Sequence, residues 1–114
     1  MRVGAVIVTF NNKSMLRSLL ADLYAQTRKP DDIIVIDNAS SDGTRDMVAL
    51  EFPSARHVML EKNTGSAGGF REGIRLAIEE NDLVWLLDDD VSVDREALAF
   101  LLAARETLIN DMSM

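Results

Sequence analysis

At 114 residues the chain has room for one domain, and a hydrophobic fraction of 47% is enough for its core. It has no cysteine, which excludes a disulfide scaffold and a thiolate zinc site and fits a reducing compartment. Nineteen acids against twelve bases leave a net charge of -7, a poor basis for binding nucleic acid, where phosphate contacts need Lys and Arg.

The chain opens with "VGAVIVTF" (residues 3–10), a continuous apolar run rich in β-branched residues, which predicts a strand buried on both faces. The run is too short to span a bilayer and is followed by no small-residue cleavage site, so neither a transmembrane helix nor a signal peptide is expected. Leu16, Leu19, Leu20 and Leu23 then recur at helical spacing, with Asn12 or Ser14 as candidate caps, and Arg28, Lys29 and Pro30 close the helix. "DIIVIDN" (residues 32–38) predicts a second buried strand. Ser40, Ser41 and Asp42 are placed to cap a short helix from Thr44 to Phe52, which must stop before Pro53.

"RHVML" (residues 56–60) predicts a third, weaker strand. A glycine-rich turn then opens a helix with Phe70, Ile74, Ala77 and Ile78 on one face. "LVWLL" (residues 83–87) predicts a fourth strand, and a last helix from about Asp94 to Ile109 would turn Leu98, Leu101, Leu102 and Leu108 inward. The alternation predicts an α/β domain with a mainly parallel sheet, right-handed crossovers and helices on both faces.

In such sheets ligands bind beyond the carboxyl ends of the strands. Four polar or glycine-rich loops follow those ends: residues 9–12, 37–42, 63–69 and 88–90. The last is the triplet Asp88, Asp89, Asp90, delivered by an apolar strand. Adjacent carboxylates repel, and a divalent cation relieves the repulsion. Asp88 and Asp90 form a D-x-D pair whose oxygens suit Mg²⁺ or Mn²⁺, ions that complete their shells with water and substrate phosphates. An isolated pair of this kind would more often be an acidic loop near a helix start. Its place on the same rim as three other loops favours the metal.

In "KNTGSAGGFREG", Gly65, Gly68 and Gly69 permit positive φ and close approach of a ligand, and the following helix start favours an anion. Arg71, in or near the first turn, could pair with a phosphate. Alone the pattern is weak, since it is neither a P-loop nor G-x-G-x-x-G. Asp37 could accept a hydrogen bond from a base or a ribose, or merely order the turn after it. The sole histidine, His57, reads as an ordinary surface or edge residue, and Trp85 as packing.

Together, "VGAVIVTFNN", "LLADLYAQTRKPDDIIVIDNASSDGT", "EKNTGSAGGFREGI" and "WLLDDDV" resemble the N-terminal half of a family 2 glycosyltransferase, in the rhamnosyl- and galactofuranosyltransferase-like branch. The resemblance spans nearly the whole chain. It implies a partial nucleotide-diphospho-sugar transferase fold over residues 1–114, with three layers and strand order 3-2-1-4. It implies that Thr9, Phe10 and Asn11 cradle the nucleotide base and that Asp37 contacts it. Asn63, Gly65 and Arg71 would lie near the ribose, diphosphate or sugar. Asp88 would reach the ribose or a Mg or Mn ion, and Asp90 the ion. The implied donor is a UDP- or dTDP-sugar, the acceptor a glycan or lipid-linked molecule, and the place the cytoplasm or the inner face of its membrane. Inverting transfer is implied. Its general base is expected beyond residue 114, because Glu96, Glu106 and Asp111 match no base motif.

A non-catalytic nucleotide-binding or assembly module of the same fold is the main alternative. A sugar-phosphate nucleotidyltransferase ranks lower, because "TFNNKS" lacks the glycine-rich basic loop of that class. The strand order would leave the fourth strand as an unpaired apolar edge, which predicts a homo-oligomer using that edge or the last helix.

Overall fold

A computed structural model describes residues 1–112. Strands β1 (Val3–Thr9), β2 (Asp32–Asp37), β3 (Arg56–Met59) and β4 (Leu83–Asp88) alternate with helices α1 (Lys13–Tyr24), α2 (Thr44–Glu51), α3 (Gly65–Ala77) and α4 (Ala97–Met112). The strands form one parallel sheet in the order β3-β2-β1-β4. The architecture is the expected one, with element boundaries shifted by at most a few residues.

Side-chain alternation divides the core into two layers. Ala5 and Ile7 of β1 join Ile33 and Val35 of β2 beneath Leu16, Leu19, Leu20 and Leu23 of α1 and Met47 and Val48 of α2. Val6 and Val8 join Ile34 and Ile36 beneath α3 on the other face. Both central strands are therefore apolar at every position that enters the core, which is why they read as continuous runs.

The α3 face differs from the expected one. Gly69, Gly73 and Ala77 are its buried residues, while Ile78 is 60% exposed. A Cβ on Gly73 would stand 2.2 Å from Val6 Cγ1, and one on Gly69 2.6 Å from Val8 Cγ1. The helix lies so close to the sheet that only hydrogen fits at these positions. Gly68 and Gly69 are thus helical residues, Gly69 serving helix–sheet contact, and only Gly65 of the three has positive φ, +75°.

The β4–α4 side is also more open than the sequence predicts. Leu87 is the buried residue of β4, and of α4 only Leu98 is buried; Leu101 and Leu108 face solvent. A helix of leucines reads as core from spacing alone, yet these have no neighbouring layer to cover them. The start of α4 is held to α1 by Gln26, which is itself buried: its Oε1 accepts from Leu98 N at 3.0 Å and its Nε2 donates to Asp94 O at 2.6 Å. Asp22 accepts from Val93 N at 3.2 Å, so the segment after the acidic triplet is strapped to α1.

Asp42 caps two helices at once. Its Oδ1 accepts from Thr44 N and Oγ1 at the start of α2, and its Oδ2 accepts from Lys13 N at 3.0 Å at the start of α1. The Asn12 side chain, one of the expected caps, makes no capping hydrogen bond. Burial raises the Asp42 pKa, but the bonds from the Thr44 hydroxyl and from the Lys13 and Thr44 amides outweigh it and hold the carboxyl below its ordinary value.

Candidate functional site

Register places the carboxyl ends of β1, β2 and β4 level: Thr9 pairs with Asp37, and Val8 with Asp88. Beyond them lies an open, polar cleft of about 280 Å³, lined by Val8, Thr9, Phe10, Asn12, Asn38, Asn63, Gly65, Ser66, Asp88 and Asp89. Among the residues expected at the site, the cleft brings together Thr9, Phe10, Asn63, Gly65 and Asp88. Its lining holds two carboxylates and no Lys or Arg.

The acidic triplet is divided by the turn. Asp88 and Asp89 face the cleft, and Thr9 Oγ1 donates to Asp89 Oδ2 at 2.9 Å. Asp90 lies on a neighbouring groove with Ser14, Met15, Ser18, Val91 and Ser92. Among the described residues no cluster of three or more His, Cys, Asp or Glu could hold a metal ion by itself. The donor chemistry nevertheless fits Mg²⁺ or Mn²⁺ well, since such ions take one or two carboxylates and draw further ligands from phosphates and water.

Arg71 stands apart. It is exposed on a groove beside α3 with Leu60, Thr64, Gly68, Glu72 and Arg75. Arg75 there pairs with Glu72 and Glu79.

Asp37 and Asn38, consecutive at the end of β2, serve opposite faces. Asn38 lines the cleft and ties it to α3: Thr64 N and Oγ1 both donate to its Oδ1 at 3.1 Å, and its Nδ2 donates to Gly65 O at 3.0 Å. Asp37 shares its face with Val35, on the α1–α2 side, and its side chain is 0% exposed. It lines no part of the cleft. His57 Nε2 lies 2.8 Å from its Oδ2, and Ser40 N donates to its Oδ1 at 2.8 Å. Burial raises the Asp37 pKa, but the hydrogen bonds from His57 and from the Ser40 hydroxyl and amide prevail and keep it below the ordinary carboxylate value. His57, expected to be an ordinary surface or edge residue, is on the edge strand but turned inward, its side chain 13% exposed.

Ser40 carries the chain of contacts onward. Asn11 N donates to Ser40 Oγ at 2.8 Å, and Ser41 N donates back to Asn11 Oδ1 at 2.7 Å. Asn11 (φ 47°) and Ala39 (φ 66°) are the non-glycine residues with left-handed backbone among those described. Asn tolerates that region better than most residues, and Ala39 is held there by the bonds on either side of it. Asn38, Asn12, Ser66 and Asp89 lie within the four loops expected at the rim, though sequence alone assigns none of them a role of its own at the site. Asn38 had a signal: it immediately follows a buried strand that ends in an acid, so alternation turns it to the other face.

The four-stranded parallel sheet in the order β3-β2-β1-β4, with its alternating helices, is that of the nucleotide-diphospho-sugar transferase fold. The fold is shared with Staphylococcus aureus TarS residues 1–349, solved in complex with UDP, at a TM-score of 0.79 and 24% identity, over 90% of this chain and 31% of that one. It is shared too with the mannosyltransferase PcManGT of Pyrobaculum calidifontis, solved with GDP-Man and Mn²⁺, at a TM-score of 0.69 and 25% identity over 82% of this chain and 29% of that one.

The chain belongs to glycosyl transferase family 2, whose sequence pattern matches residues 5–111. It is 40% identical over 108 residues to the galactofuranosyltransferase GlfT1 of Mycobacterium tuberculosis, covering 91% of this chain and 36% of that protein. It is 35% identical over 107 residues to GlfT1 of Mycolicibacterium smegmatis, with 92% and 35% covered. The chain thus spans about a third of the length of these relatives. No described helix is long and apolar enough to cross a membrane.

Proposed function

We propose that residues 1–114 form the donor-binding part of a glycosyltransferase, which takes up a nucleotide-diphospho-sugar together with a divalent cation. The observation that carries the reading is the charge of the cleft. Two carboxylates face it, no basic side chain lines it, and the start of α3 borders it, its first amide, Gly65 N, donating to Asn63 Oδ1 at 2.8 Å. A diphosphate would be repelled there unless a cation stood between it and the acids. Asp88 would hold that ion from within the cleft, and Asp90, which lies on the adjoining groove, would join it by a turn of its loop toward the cleft, while one oxygen of Asp89 is already engaged by Thr9. When bound, Mg²⁺ or Mn²⁺ offsets the negative charge of the departing diphosphate.

Thr9 and Phe10 would form the base end of the cleft, with Asn11 behind them against Ser40 and Ser41, and Asn63 and Gly65 its ribose and diphosphate end, where the start of α3 favours an anion. Arg71 would reach a part of the donor lying beyond α3. Transfer is inverting: an acceptor hydroxyl oxygen forms the new bond to the anomeric carbon, the bond from that carbon to the diphosphate oxygen breaks, and the hydroxyl proton passes to a base supplied from outside the residues named here. The family, the GlfT1 relatives and the Mn²⁺-bound mannosyltransferase support this reading; the acceptor would be a glycan or lipid-linked molecule. The exposed β4 edge and the apolar side of α4 would be covered by a second copy of the chain.

Calorimetric titration of uridine, thymidine and guanosine diphosphates tests the assignment. At least one is expected to bind with Mn²⁺ present, and binding should fall about tenfold or more in Asp88→Ala and in Asp90→Ala, or when the metal is chelated. Saturable binding that is indifferent to Mn²⁺ and to both substitutions would overturn it.

A further inference from the structure

A fully buried carboxylate lies outside the cleft, on the side of the sheet facing α1 and α2. Asp37 has both carboxylate oxygens engaged, one by His57 and one by Ser40 N. Ser40 in turn accepts from Asn11 N, and Asn11 accepts from Ser41 N. An unbroken series of hydrogen bonds therefore runs from the edge strand β3, across the end of β2, to the loop between β1 and α1 that bears Phe10. Of the two non-glycine residues with left-handed backbone among those described, Asn11 belongs to this series and Ala39 lies in the turn that the Ser40–Asp37 bond closes.

We propose that His57 is a positioning residue for the nucleotide end of the cleft. It fixes the Asp37 carboxylate, which fixes Ser40 and through it the Asn11 backbone and the neighbouring Phe10. The order of groups suits positioning and no other role. The carboxylate stands between the imidazole and the serine, so the serine is not placed to be activated as a nucleophile. A carboxylate only accepts, so His57 Nε2 carries the hydrogen it presents to Asp37. Without His57, one oxygen of a fully buried carboxylate would lose its partner, and the carboxylate would turn toward water and release Ser40. This role rests on the donor-binding reading for its consequence, but the mechanical link can be measured without a ligand.

The test uses the whole chain and three variants. His57→Leu removes the donor to Asp37. His57→Gln returns an N–H at nearly the same reach. Ser40→Ala leaves β3 untouched and removes the oxygen that holds Asn11 N. Amide hydrogen exchange at Asn11, Ser40 and Ser41 reports the loop, and titration with uridine diphosphate and Mn²⁺ reports the cleft. Expected are loss of protection at Asn11 and Ser40 in His57→Leu, loss at Asn11 in Ser40→Ala, and recovery in His57→Gln. Nucleotide affinity should fall about tenfold or more in His57→Leu and in Ser40→Ala, the size of one charge-assisted hydrogen bond, and stay within about threefold of the native value in His57→Gln. Native protection and native affinity in both His57→Leu and Ser40→Ala would overturn the proposal. If the native chain binds no nucleotide, the donor reading fails by itself, and the exchange pattern still decides the role of His57. If His57→Leu does not fold, His57→Asn, whose shorter side chain falls short of Asp37, takes its place with the same outcomes.

Discussion

Substituting Gly73 by alanine sets two opposed effects against each other, and the structure decides between them. In a helix interior, Gly→Ala favours folding by about 1 kcal/mol, because alanine loses less backbone entropy. Against this, the new Cβ would meet Val6 Cγ1 at 2.2 Å and Ile36 Cγ1 at 3.1 Å. Carbon atoms rest about 3.5–4.0 Å apart, so relieving the first contact takes a shift of more than about 1 Å. Val6 is 0% exposed on a central strand and has no space to retreat into, so α3 itself must lift. Overpacking of this kind costs about 1–3 kcal/mol, and so short a contact belongs at the upper end. The expected net effect is a loss of about 1–2 kcal/mol, a fall of roughly 1 M in the urea midpoint with an unchanged slope. Because Thr64 and Gly65 at the start of α3 bond to Asn38, lifting the helix should also weaken nucleotide binding. The check is a double-mutant cycle followed by circular dichroism. In a Val6→Ala background the clashing methyl is gone, and Gly73→Ala should become neutral or stabilising by up to about 1 kcal/mol. A Gly73→Ala protein as stable as the native one, or an equal loss in the Val6→Ala background, would refute the claim that the glycines set the helix–sheet distance.

Two further expectations concern solution behaviour. Asp37 and Asp42 have pKa values below the ordinary carboxylate value, so both are ionised more readily folded than unfolded. Their stabilisation is present above the unfolded value, about 4, and is lost as pH falls through the lower folded values. The urea midpoint should therefore drop below about pH 4, and drop less in Asp42→Asn, which starts lower; a midpoint level down to about pH 2 would contradict the capping and relay assignments. The exposed β4 edge, with Leu86 beside it, and the uncovered Phe100, Leu101 and Leu108 of α4 predict self-association. Sedimentation velocity over a hundredfold range of concentration should show a dimer or larger species, and a monomer throughout would remove the second copy from the proposal.

What the sequence discloses here depends on whether a residue's role follows from its own chemistry or from what lies across from it. β1 and β2 are legible because a strand covered on both faces is apolar at successive positions, and Val3 to Val8 and Ile33 to Ile36 contain little else. The rim is legible because polar loops must follow such strands in a parallel sheet. The α3 face is not, because its inward residues Gly69 and Gly73 add no apolar weight to any periodic pattern, although they approach the sheet most closely. The α4 leucines mislead for the converse reason: spacing shows that a helix has an apolar stripe, and says nothing about whether another layer covers it. Gln26, Asp22 and His57 are chemically ordinary in sequence, and their roles arise from partners 68, 71 and 20 residues away.

Asp37 is the most instructive of these. An acid at the end of a buried strand is rightly picked out as belonging to the rim, but a strand offers its successive residues to opposite faces. Val35 faces α1 and α2, so Asp37 faces them also, and the residue given to the cleft is its neighbour Asn38. The pair thereby divides one task. Asn38 holds the α3 side of the cleft through Thr64 and Gly65, and Asp37 holds the β1–α1 side through Ser40 and Asn11. Both walls are tied to the end of a single central strand, so a displacement of that strand end would move both together. This is the physical reason to look for control of the cleft at His57, which touches the strand end from the edge of the sheet and none of the cleft itself.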